Sequence, residues 1–366
     1  MLITHLEINN FKNITEASFD FNHSLNCLLG NNGMGKSNLL DAIYFLSYCR
    51  SFSGITDKGL LNYQADFFSL RGEYLRNGVG EALTIGMNSG HRKILKRKGK
   101  EYKRLSEHIG QFPLVMVAPR DASLITGSGE ERRRFMDMII SQSSPAYLDA
   151  LIRYQRSLEQ RNRLLRADVT DTELYDAVEV SLVDAATNLH SARTEWIPLF
   201  EDIFRRYYAA IAGPGESVSL TFKAHLSRNS GNMRDLLDSA RRHDMAVGYT
   251  SVGPHRDDIE VYVNTLEARH TASQGQCKTI TVAMRLAQFE FLRQATGLTP
   301  LLLLDDIFDK LDATRVERIV DIVGSDRFGQ IFITDTNRSH LDAILRDNTS
   351  SRAIWNVNNG SFTLSH

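Results

Sequence analysis

Hydrophobic and polar residues alternate near the start of the chain and form longer apolar blocks farther along it. The alternation at residues 2–8 and 17–21 predicts two short paired strands around a turn. The apolar run at 25–29 is followed by a glycine-rich loop and by a helix at about 37–49. Further strands are predicted at 67–74, 82–87, 114–118, 218–225, 259–263, 300–306 and 330–335. Strands interleaved with helices indicate an α/β fold.

The middle of the chain has helical rather than strand periodicity. Apolar residues recur at helical spacing over 147–165, and at alternating spacings of three and four over 175–203. That alternation is typical of a coiled-coil seam, so we expect a short antiparallel helical hairpin. The helical core of an ordinary subdomain would show almost the same spacing. Pro198 predicts a kink or a new segment within the second helix.

Composition restricts the class of protein. The chain has 366 residues, of which 42% are apolar and 24% charged, as in ordinary globular proteins. We expect a cytoplasmic protein with no membrane partner, because no apolar run approaches a membrane span and the first residues lack a signal-peptide pattern. Cys27, Cys49 and Cys277 are too scattered for a disulfide framework or a metal site. The net charge of −1 means that any nucleic-acid partner must bind a local patch.

The loop after residues 25–29 has the P-loop pattern G-x-x-x-x-G-K-S between a strand and a helix. In this context backbone N–H groups surround phosphates, Lys36 reaches the outer phosphates, and the Ser37 hydroxyl ligates Mg²⁺. A glycine-rich turn that binds nothing is the alternative, although the four fixed positions match by chance in roughly one chain in a hundred of this length. The residues predicted to bind ATP are Gly30, Asn31, Asn32, Gly33, Met34, Gly35, Lys36, Ser37 and Asn38.

A second part of the same site is predicted at the carboxyl end of the apolar run 300–304, where Asp305 and Asp306 follow. Two carboxylates at the end of a buried strand need a cation or donors, and Mg²⁺ beside the P-loop would supply one. We expect Asp305 to hold the metal and Asp306 to orient or deprotonate the attacking water. Lys12 and Asn13 either lie beside the nucleotide or form a solvated turn.

Two further segments can be interpreted from their distance along the sequence to the paired aspartates. Ser273, Gln274, Gly275 and Gln276 precede a predicted helix over 277–294 and by themselves would be a helix cap. About thirty residues before Asp305, they resemble the signature motif of ATP-binding-cassette and SMC-type ATPases. The segment 308–312, ending in Asp312, looks like the D-loop of those proteins. Residues 330–335 look like their next core strand, with Thr334 and Asp335 at the switch position.

The P-loop, the helical insertion, GPHRDD at 253–258, SQGQ at 273–276 and LLLLDDIFDKLD at 301–312 together resemble the RecF family of SMC-like ATPases. The resemblance implies an ABC/SMC-type P-loop ATPase head of mixed sheets and helices, formed by 1–120 and 245–366. It also implies a mostly helical inserted lobe at 121–244 with a short antiparallel coiled-coil hairpin. Residues 250–258 indicate a tight charged turn that returns the chain to the head.

The resemblance implies a homodimer that forms when ATP and Mg²⁺ bind. The signature motif of one chain would complete the nucleotide site of the other. Such a dimer would bind duplex or gapped DNA and single-strand–double-strand junctions in recombinational repair. It would act with the RecO and RecR mediators to load the RecA recombinase. ATP hydrolysis would be slow, stimulated by DNA, and would time release.

The sequence departs from the SMC pattern at two positions. Pro119 aligns with the glutamine that binds the metal in SMC-type heads, so a usual role for that loop is not expected. Asp335 stands at the switch position where a histidine is usual. Sensing of the γ-phosphate would then fall to Thr334 or Asp335.

A cluster of cations at residues 91–104 is the candidate DNA contact, because eight of these fourteen residues are Lys or Arg in a chain of nearly zero net charge. Its proposed contact residues are Arg92, Lys93, Lys96, Arg97 and Lys98. A solvated edge hairpin that uses lysines to block strand addition is the alternative. The run Arg132, Arg133 and Arg134 would instead be structural, pairing with Glu130, Glu131 and Asp137.

Two other classes of protein compete with this interpretation. A transport-type cassette ATPase would share the nucleotide motifs but would need membrane subunits, whereas the insertion here is helical and resembles no docking subdomain. Another SMC-like or cassette ATPase acting as a dimeric scaffold would have a vestigial site. The intact Lys36, Ser37, Asp305 and Asp306 argue against that.

Overall fold

The computed structural model describes residues 1–63, 65–90, 92–228, 232–308, 311–336 and 352–365. The chain divides into two compact units. The first consists of Met1–Asp121 and Gln288–His366, and the second is Ala122–Ala287. The second unit extends beyond the sequence-based limit of residue 244, because the chain that follows forms a small sheet and packs on helices of that unit.

The helices and strands are numbered in chain order. The chain up to Asp121 contains β1 (Leu2–Phe11), β2 (Ile14–Asp20), β3 (Leu25–Leu29), α1 (Lys36–Tyr48), β4 (Phe67–Arg76), β5 (Val79–Asn88), β6 (Ile94–Arg97), β7 (Lys100–Glu101) and β8 (Leu114–Val117). The second unit contains α2 (Ser123–Thr126), α3 (Gly129–Ser143), α4 (Pro145–Arg166), α5 (Thr172–Ala212), β9 (Val218–Lys223), α6 (Met233–Val247), β10 (Asp258–Val263), β11 (Leu266–Glu267), α7 (Ala268–Thr271) and the start of α8 (Gln274–Thr296). The remainder contains β12 (Leu301–Asp305), α9 (Ala313–Val323), β13 (Ile331–Asp335), β14 (Arg352–Asn358) and β15 (Ser361–Ser365). Among the described residues, no helix is long and apolar enough to cross a membrane.

The first unit contains two six-stranded sheets, helix α1, the end of α8 and helix α9. One sheet is antiparallel, in the order β2-β1-β4-β5-β6-β7, and the other has the order β15-β14-β3-β13-β12-β8. Helix α1 contacts strands of both sheets and is buried from Leu39 to Tyr48, with Leu39, Ile43 and Phe45 at 0% exposure. A helix that is apolar all round belongs in such a position. The sequence did not predict β14 and β15.

The register of the second sheet brings three strand ends together. Strands β3, β13 and β12 are parallel neighbours, with Asp335 opposite Leu29 and Asp305 opposite Thr334. Parallel strands end at the same edge of a sheet, so the P-loop that follows β3 and the aspartates that end β12 share one edge. This register fixes the location of the site described below.

The second unit is built from long helices and a three-stranded sheet in the order β11-β10-β9. Helices α4 and α5 pack against each other after the short connection 167–171, as the predicted hairpin requires. Their coiled-coil geometry remains a prediction. Helix α5 continues through Pro198 as one helix, so the prediction of a new segment there was wrong.

One buried arginine organises the second unit around the GPHRDD turn. The Arg193 guanidinium is 2% exposed and lies 2.8 Å from carboxylate oxygens of both Asp137 and Asp257. It also donates to the Tyr147 hydroxyl at 3.0 Å and to the Pro254 carbonyl at 2.7 Å. These bonds connect α3, α4 and α5 to the turn, which accounts for its charge.

The rest of the turn is also held by side chains. His255 Nε2 lies 2.9 Å from the Thr250 carbonyl, which only accepts, so Nε2 carries the proton and Nδ1 accepts from the Tyr154 hydroxyl at 2.6 Å. Burial lowers the pKa of His255 to about 4, so the ring is neutral at pH 7. Asp258 accepts two bonds from the Arg132 guanidinium, at 2.7 and 2.8 Å.

The arginine run at 132–134 is structural, with partners that differ from those predicted. Arg132 pairs with Asp258 and Arg133 donates to the Asp257 carbonyl at 2.7 Å. Arg134 alone pairs as predicted, with Glu130 at 2.5 Å and Glu131 at 3.6 Å. The first two arginines therefore hold the GPHRDD turn on α3.

The Arg193 cluster predicts a large loss of stability on truncation. Arg193→Ala leaves Asp137 and Asp257 without their shared cation, and removal of one partner from a buried pair lowers the free energy of unfolding by about 3–5 kcal/mol. The two tryptophans, Trp196 and Trp355, lie in different units. Urea unfolding followed by Trp196 fluorescence in a Trp355→Phe background would report the second unit alone.

The control for this experiment is Arg153→Ala. Arg153 also pairs with two carboxylates, Asp149 at 3.0 Å and Asp184 at 2.6 Å, but its side chain is 41% exposed. Exposed pairs contribute about 1 kcal/mol or less. Equal losses in the two variants would contradict the assignment of Arg193 as the centre of this unit.

Candidate nucleotide-binding site

The predicted P-loop connects β3 directly to α1 and has the backbone of an anion-binding loop. Gly33 and Gly35 have φ of +81° and +111°, and a Cβ on Gly35 would lie 3.0 Å from the side-chain amide of Asn13. Asn13 in turn accepts a hydrogen bond from Asn38 Nδ2 at 2.7 Å. Asn31, Asn32 and Gly33 are exposed at the front of the loop. The turn residue Asn13 is therefore packed against the P-loop rather than simply solvated.

The Lys36 ammonium is folded back onto its own loop. Nζ donates to the carbonyls of Gly30 at 2.5 Å and Asn31 at 3.0 Å, and the residue is 7% exposed. Burial lowers its pKa, against the opposing effect of Asp306 and Asp305. Within the described part of the chain, its hydrogen-bond partners are two neutral carbonyls, so a phosphate in the loop would supply the counter-charge.

Asp305 is the centre of the opposite side of the site. Its Oδ1 accepts hydrogen bonds from the Ser37 hydroxyl at 2.9 Å and the Thr334 hydroxyl at 2.7 Å. Burial raises the pKa of Asp305, and the two hydroxyl donors oppose that shift. Ser37 and Asp305 are thus adjacent oxygen donors, as a Mg²⁺ site at this position requires. Among the described residues, no group of three or more His, Cys, Asp and Glu side chains forms a metal site elsewhere.

Thr334 and Asp306 support that carboxylate. The Asp306 N–H donates to Thr334 Oγ1 at 3.1 Å, so the threonine hydroxyl contacts both aspartates. Asp306 has φ of +49°, an unusual conformation for a residue other than glycine, and such strain is often kept at functional sites. Asp335, the other predicted switch residue, is 3% exposed at the end of β13.

Lys12 is tied to a carboxylate that sequence reasoning missed. Its Nζ lies 2.5 Å from Asp41 Oδ2 and donates to Ser53 Oγ at 3.2 Å. Asp41 also accepts from the Ser51 hydroxyl at 2.5 Å and the Phe52 N–H at 2.6 Å. Asp41 therefore fixes both Lys12 and the chain after α1. The available signal was a charged residue within an otherwise apolar helix.

A cavity of about 440 Å³ opens beside the Ser37–Asp305 pair. Pro119 lines it at the position where SMC-type heads carry a glutamine, and offers no side-chain donor. Arg120 follows in the lining; its guanidinium donates to the Phe52 carbonyl and stacks on that ring at 4.9 Å. The other lining residues are Lys12, Asn38, Asp41, Ser53, Met116 and Ala118.

The β14–β15 hairpin also reaches the P-loop. Its turn, Asn359–Gly360, donates the Gly360 N–H to the Met34 carbonyl at 2.8 Å. An Asn-Gly pair between two alternating segments is a recognisable hairpin signal. The hairpin was therefore predictable, although its position against the P-loop was not.

The signature segment lies in the second unit at the start of α8. Ser273 Oγ accepts from the Gln276 N–H at 3.2 Å, and Gln276 Oε1 accepts from the Ser273 N–H at 2.9 Å. This reciprocal pair is a capping box, so the cap suggested by the sequence is present. Ser273 and Gln274 are exposed, whereas Gly275 and Gln276 are half-buried.

The D-loop segment is described only in part. Asp309 and Lys310 lie outside the described residues. The Asp312 side chain caps α9 by accepting from the Arg315 N–H at 3.0 Å.

The five predicted DNA contacts fall into two groups. Lys93 donates to the Cys49 carbonyl at 2.6 Å and pairs with Asp57 at 2.9 Å, and its side chain is 14% exposed. Arg97 forms two bonds with Glu81, at 2.6 and 3.0 Å. These two cations hold the hairpin β6–β7 in place.

The other three predicted contacts are exposed. Arg92 is 76% exposed and pairs with Glu101 at 3.0 Å, whereas Lys98 is 52% exposed and lies 3.7 Å from Glu81. Lys96 is exposed and has no ion pair within the described part of the chain. Arg92, Lys96 and Lys98 are therefore more accessible to a phosphate backbone than Lys93 and Arg97 are.

Asp305 generates a prediction for the nucleotide-free protein. Because burial raises its pKa above the ordinary value of 3.8, the folded state binds this proton more tightly than the unfolded state. The charged carboxylate then opposes folding at neutral pH, and this penalty disappears as the pH falls toward the ordinary value. We expect Asp305→Asn to raise the thermal midpoint by roughly 2–4 °C near neutral pH and by less near the ordinary aspartate pKa.

Asp321→Asn, on the exposed side of α9, should change the midpoint little at either pH. A lower midpoint for Asp305→Asn at neutral pH would contradict the folding penalty assigned to this buried charge.

Sequence relatives of the chain are known along its whole length. The sequence pattern of the RecF/RecN/SMC N-terminal domain matches residues 2–72. The chain is 45% identical to the DNA replication and repair protein RecF of Bacteroides fragilis, over 99% of this chain and 98% of that protein. The corresponding identity is 44% for the RecF proteins of Phocaeicola vulgatus, at 99% and 98% coverage, and of Porphyromonas gingivalis, at 98% and 99%.

Solved structures agree with these relatives and with the predicted fold class. A structure described as the recombination mediator protein RecF–ATP in the RecFOR pathway superimposes with a TM-score of 0.87 at 26% identity, covering 99% of both chains. An Smc head bound to the C-winged helix domain of ScpA has a TM-score of 0.60 at 15% identity, covering 100% of this chain and 98% of that one, and shares the fold alone. The mixed-sheet ATPase head predicted from the sequence is therefore confirmed. On these similarities and on the P-loop geometry, the chain belongs to the RecF family of DNA replication and repair proteins.

Proposed function

We propose that the first unit binds ATP with Mg²⁺, and that ATP controls the association of two chains on DNA during recombinational repair of replication gaps. The observation that carries the proposal is the Ser37–Asp305–Thr334 group at the end of a P-loop that already has anion-binding geometry. The similarity to a RecF–ATP structure over the whole chain supports it.

Each side chain in the site has a distinct task in this proposal. Lys36 would leave the carbonyls of its own loop for the outer phosphates, and Ser37 and Asp305 would hold the metal. When bound, Mg²⁺–ATP would supply the phosphates, their partly neutralised charge and the bond to be cleaved. Asp306 orients the attacking water, and Thr334 keeps both aspartates in position. Hydrolysis is slow and serves to release the dimer.

The second chain enters the proposal through the signature segment. Ser273 and Gln274 are exposed on the second unit, with their backbone already ordered by the capping box. In an ATP-bound dimer, the Ser273–Gln276 segment of one chain would complete the site of its partner. Two such sites related by a two-fold axis make a closed dimer, which ATP joins and hydrolysis releases.

DNA binding is assigned to the exposed cations of the β6–β7 hairpin, Arg92, Lys96 and Lys98. Their exposure supports a role in phosphate contact, and Lys96 has no ion pair among the described residues. By family resemblance, the bound DNA is a gap or a single-strand–double-strand junction, and the protein acts with RecO and RecR to load RecA. The alternative is a dimeric scaffold of the same family that acts outside gap repair.

Light scattering tests the ATP-dependent dimer. With ATP and Mg²⁺ we expect the wild-type mass to double from the 41.4 kDa of one chain. Ser273→Arg should remain a monomer, because a large cation would occupy the shared site, and Lys36→Ala should also remain a monomer because it cannot hold the phosphates.

Ser239→Arg adds the same charge to an exposed position on α6 of the same unit and should still dimerise. Dimerisation of Ser273→Arg at wild-type ATP concentrations would refute the trans arrangement. A wild-type monomer even with duplex DNA present would refute the ATP-controlled dimer itself.

The salt dependence of DNA binding tests the hairpin. Each phosphate contact adds about −0.9 to the slope of log affinity against log salt on duplex DNA. The double variant Lys96→Ala and Lys98→Ala should therefore bind more weakly, with a slope shallower by about 1.8 for each chain bound. Fluorescence anisotropy on a labelled duplex with a gap gives both quantities.

The charge-matched control is the double variant Arg163→Ala and Arg166→Ala, which removes two exposed cations from α4. Equal slopes for the two double variants would show that only net charge matters and that the hairpin makes no specific contact.

A further inference from the structure

The β14–β15 hairpin places its turn directly behind the P-loop. Strand β14 pairs in parallel with β3, with Asn356 opposite Leu29, so both strands arrive together at the loop. There the Gly360 N–H donates to the Met34 carbonyl at 2.8 Å, and the Asn359 N–H lies 3.4 Å from Met34 Sδ. Two successive backbone donors of the turn thus contact one residue of the loop.

Close packing leaves no room for side chains along this contact. A Cβ on Gly30 would lie 2.4 Å from the Val357 carbonyl oxygen, and a Cβ on Gly360 would lie 2.5 Å from the Asn13 carbonyl oxygen. Both distances are far below van der Waals contact, and in both the obstructing atom belongs to the backbone. The P-loop therefore packs against β14 at Gly30, while the turn at Gly360 packs against the turn at Asn13, whose side chain lies against Gly35.

The Met34 carbonyl is the group that matters for anion binding. It shares one planar trans peptide with the Gly35 N–H, and the two point in opposite directions. A hydrogen bond that fixes the carbonyl therefore also fixes the direction of that N–H. The peptide joins Met34 to Gly35, which has a φ of +111°, and glycine would otherwise let it rotate.

We propose that the Asn359–Gly360 turn is a positioning element of the nucleotide site, which sets the P-loop peptides for phosphate before nucleotide arrives. This inference rests on the proposed ATP binding and extends the site to a hairpin far away in the sequence. Pre-organisation lowers the entropy lost on binding, so release of the turn weakens affinity without removing any group that touches the ligand.

Gly360→Ala tests the proposal, and the chain provides a matched control in Gly78→Ala. Gly360 and Gly78 both have φ of +78°, and both follow an asparagine in the left-handed region, Asn359 at 48° and Asn77 at 50°. An alanine therefore meets the same backbone strain at either turn. A Cβ on Gly78, however, meets nothing within 4 Å.

We expect Gly360→Ala to bind Mg²⁺–ATP about tenfold more weakly than wild type or more, and Gly78→Ala to bind as wild type does. Isothermal titration calorimetry measures both affinities, and Trp355 emission checks that β14 remains packed. Wild-type affinity in Gly360→Ala would overturn the proposal. An equal loss of affinity in both variants would also overturn it, because strain in a turn would then explain the effect.

Hydrogen exchange on the wild-type protein provides a second test that needs no variant to fold. Coupling between two sites is reciprocal, so Mg²⁺–ATP must slow exchange of the amides at 359–360 if the turn supports binding. Unchanged exchange at saturating nucleotide would overturn the inference while the proposed ATP binding stands. Failure of the wild type to bind ATP at all would overturn the proposed function, and this inference with it.

Discussion

The nucleotide site depends on the burial of two opposite charges that are not paired with each other. Among the described residues, the Asp305 carboxylate accepts hydrogen bonds from two hydroxyls, and the Lys36 ammonium donates to two loop carbonyls. Each charge is held in place by the ends of β3, β12 and β13, whose register brings them to one edge. The site is therefore complementary to a ligand that carries an anion and a cation side by side, as a metal–phosphate does.

In the second unit, by contrast, two buried arginines are paired directly with carboxylates. Arg161 is 0% exposed and pairs with Glu179 at 2.8 Å and Asp244 at 2.7 Å, while Arg193 is matched by two carboxylates of its own. Each cation there has its counter-charge within the same unit. Buried pairs of this kind specify an arrangement more than they add stability. Arg161 and Arg193 thus have their counter-charges in place, whereas Lys36 and Asp305 carry charges that a ligand can match.

Local patterns explain what could be predicted. The P-loop and the paired aspartates are short motifs that can be recognised from their residue types and spacing. The alternation of apolar and polar residues predicted most of the strands. The exposed Lys96 and the internally bonded Lys93 were not distinguished, because the sequence gives equal weight to all cations of a hairpin. Asp41 was missed because its partners come from two other segments. The charged turn at 253–258 could not be explained before Arg193 was placed within it.

The strand order of the second sheet has a consequence for the order in which the protein folds. Strand β3 has β13 and β14 as its neighbours, each separated from it by about 300 residues of sequence. The P-loop strand therefore stays without partners through most of synthesis on the ribosome. Residues 122–287, in contrast, make their contacts among themselves, and domains generally fold as units while the chain emerges. The helical unit can thus fold before the last strands of the ATPase sheet have been synthesised. The nucleotide site is therefore among the last parts of the molecule to form.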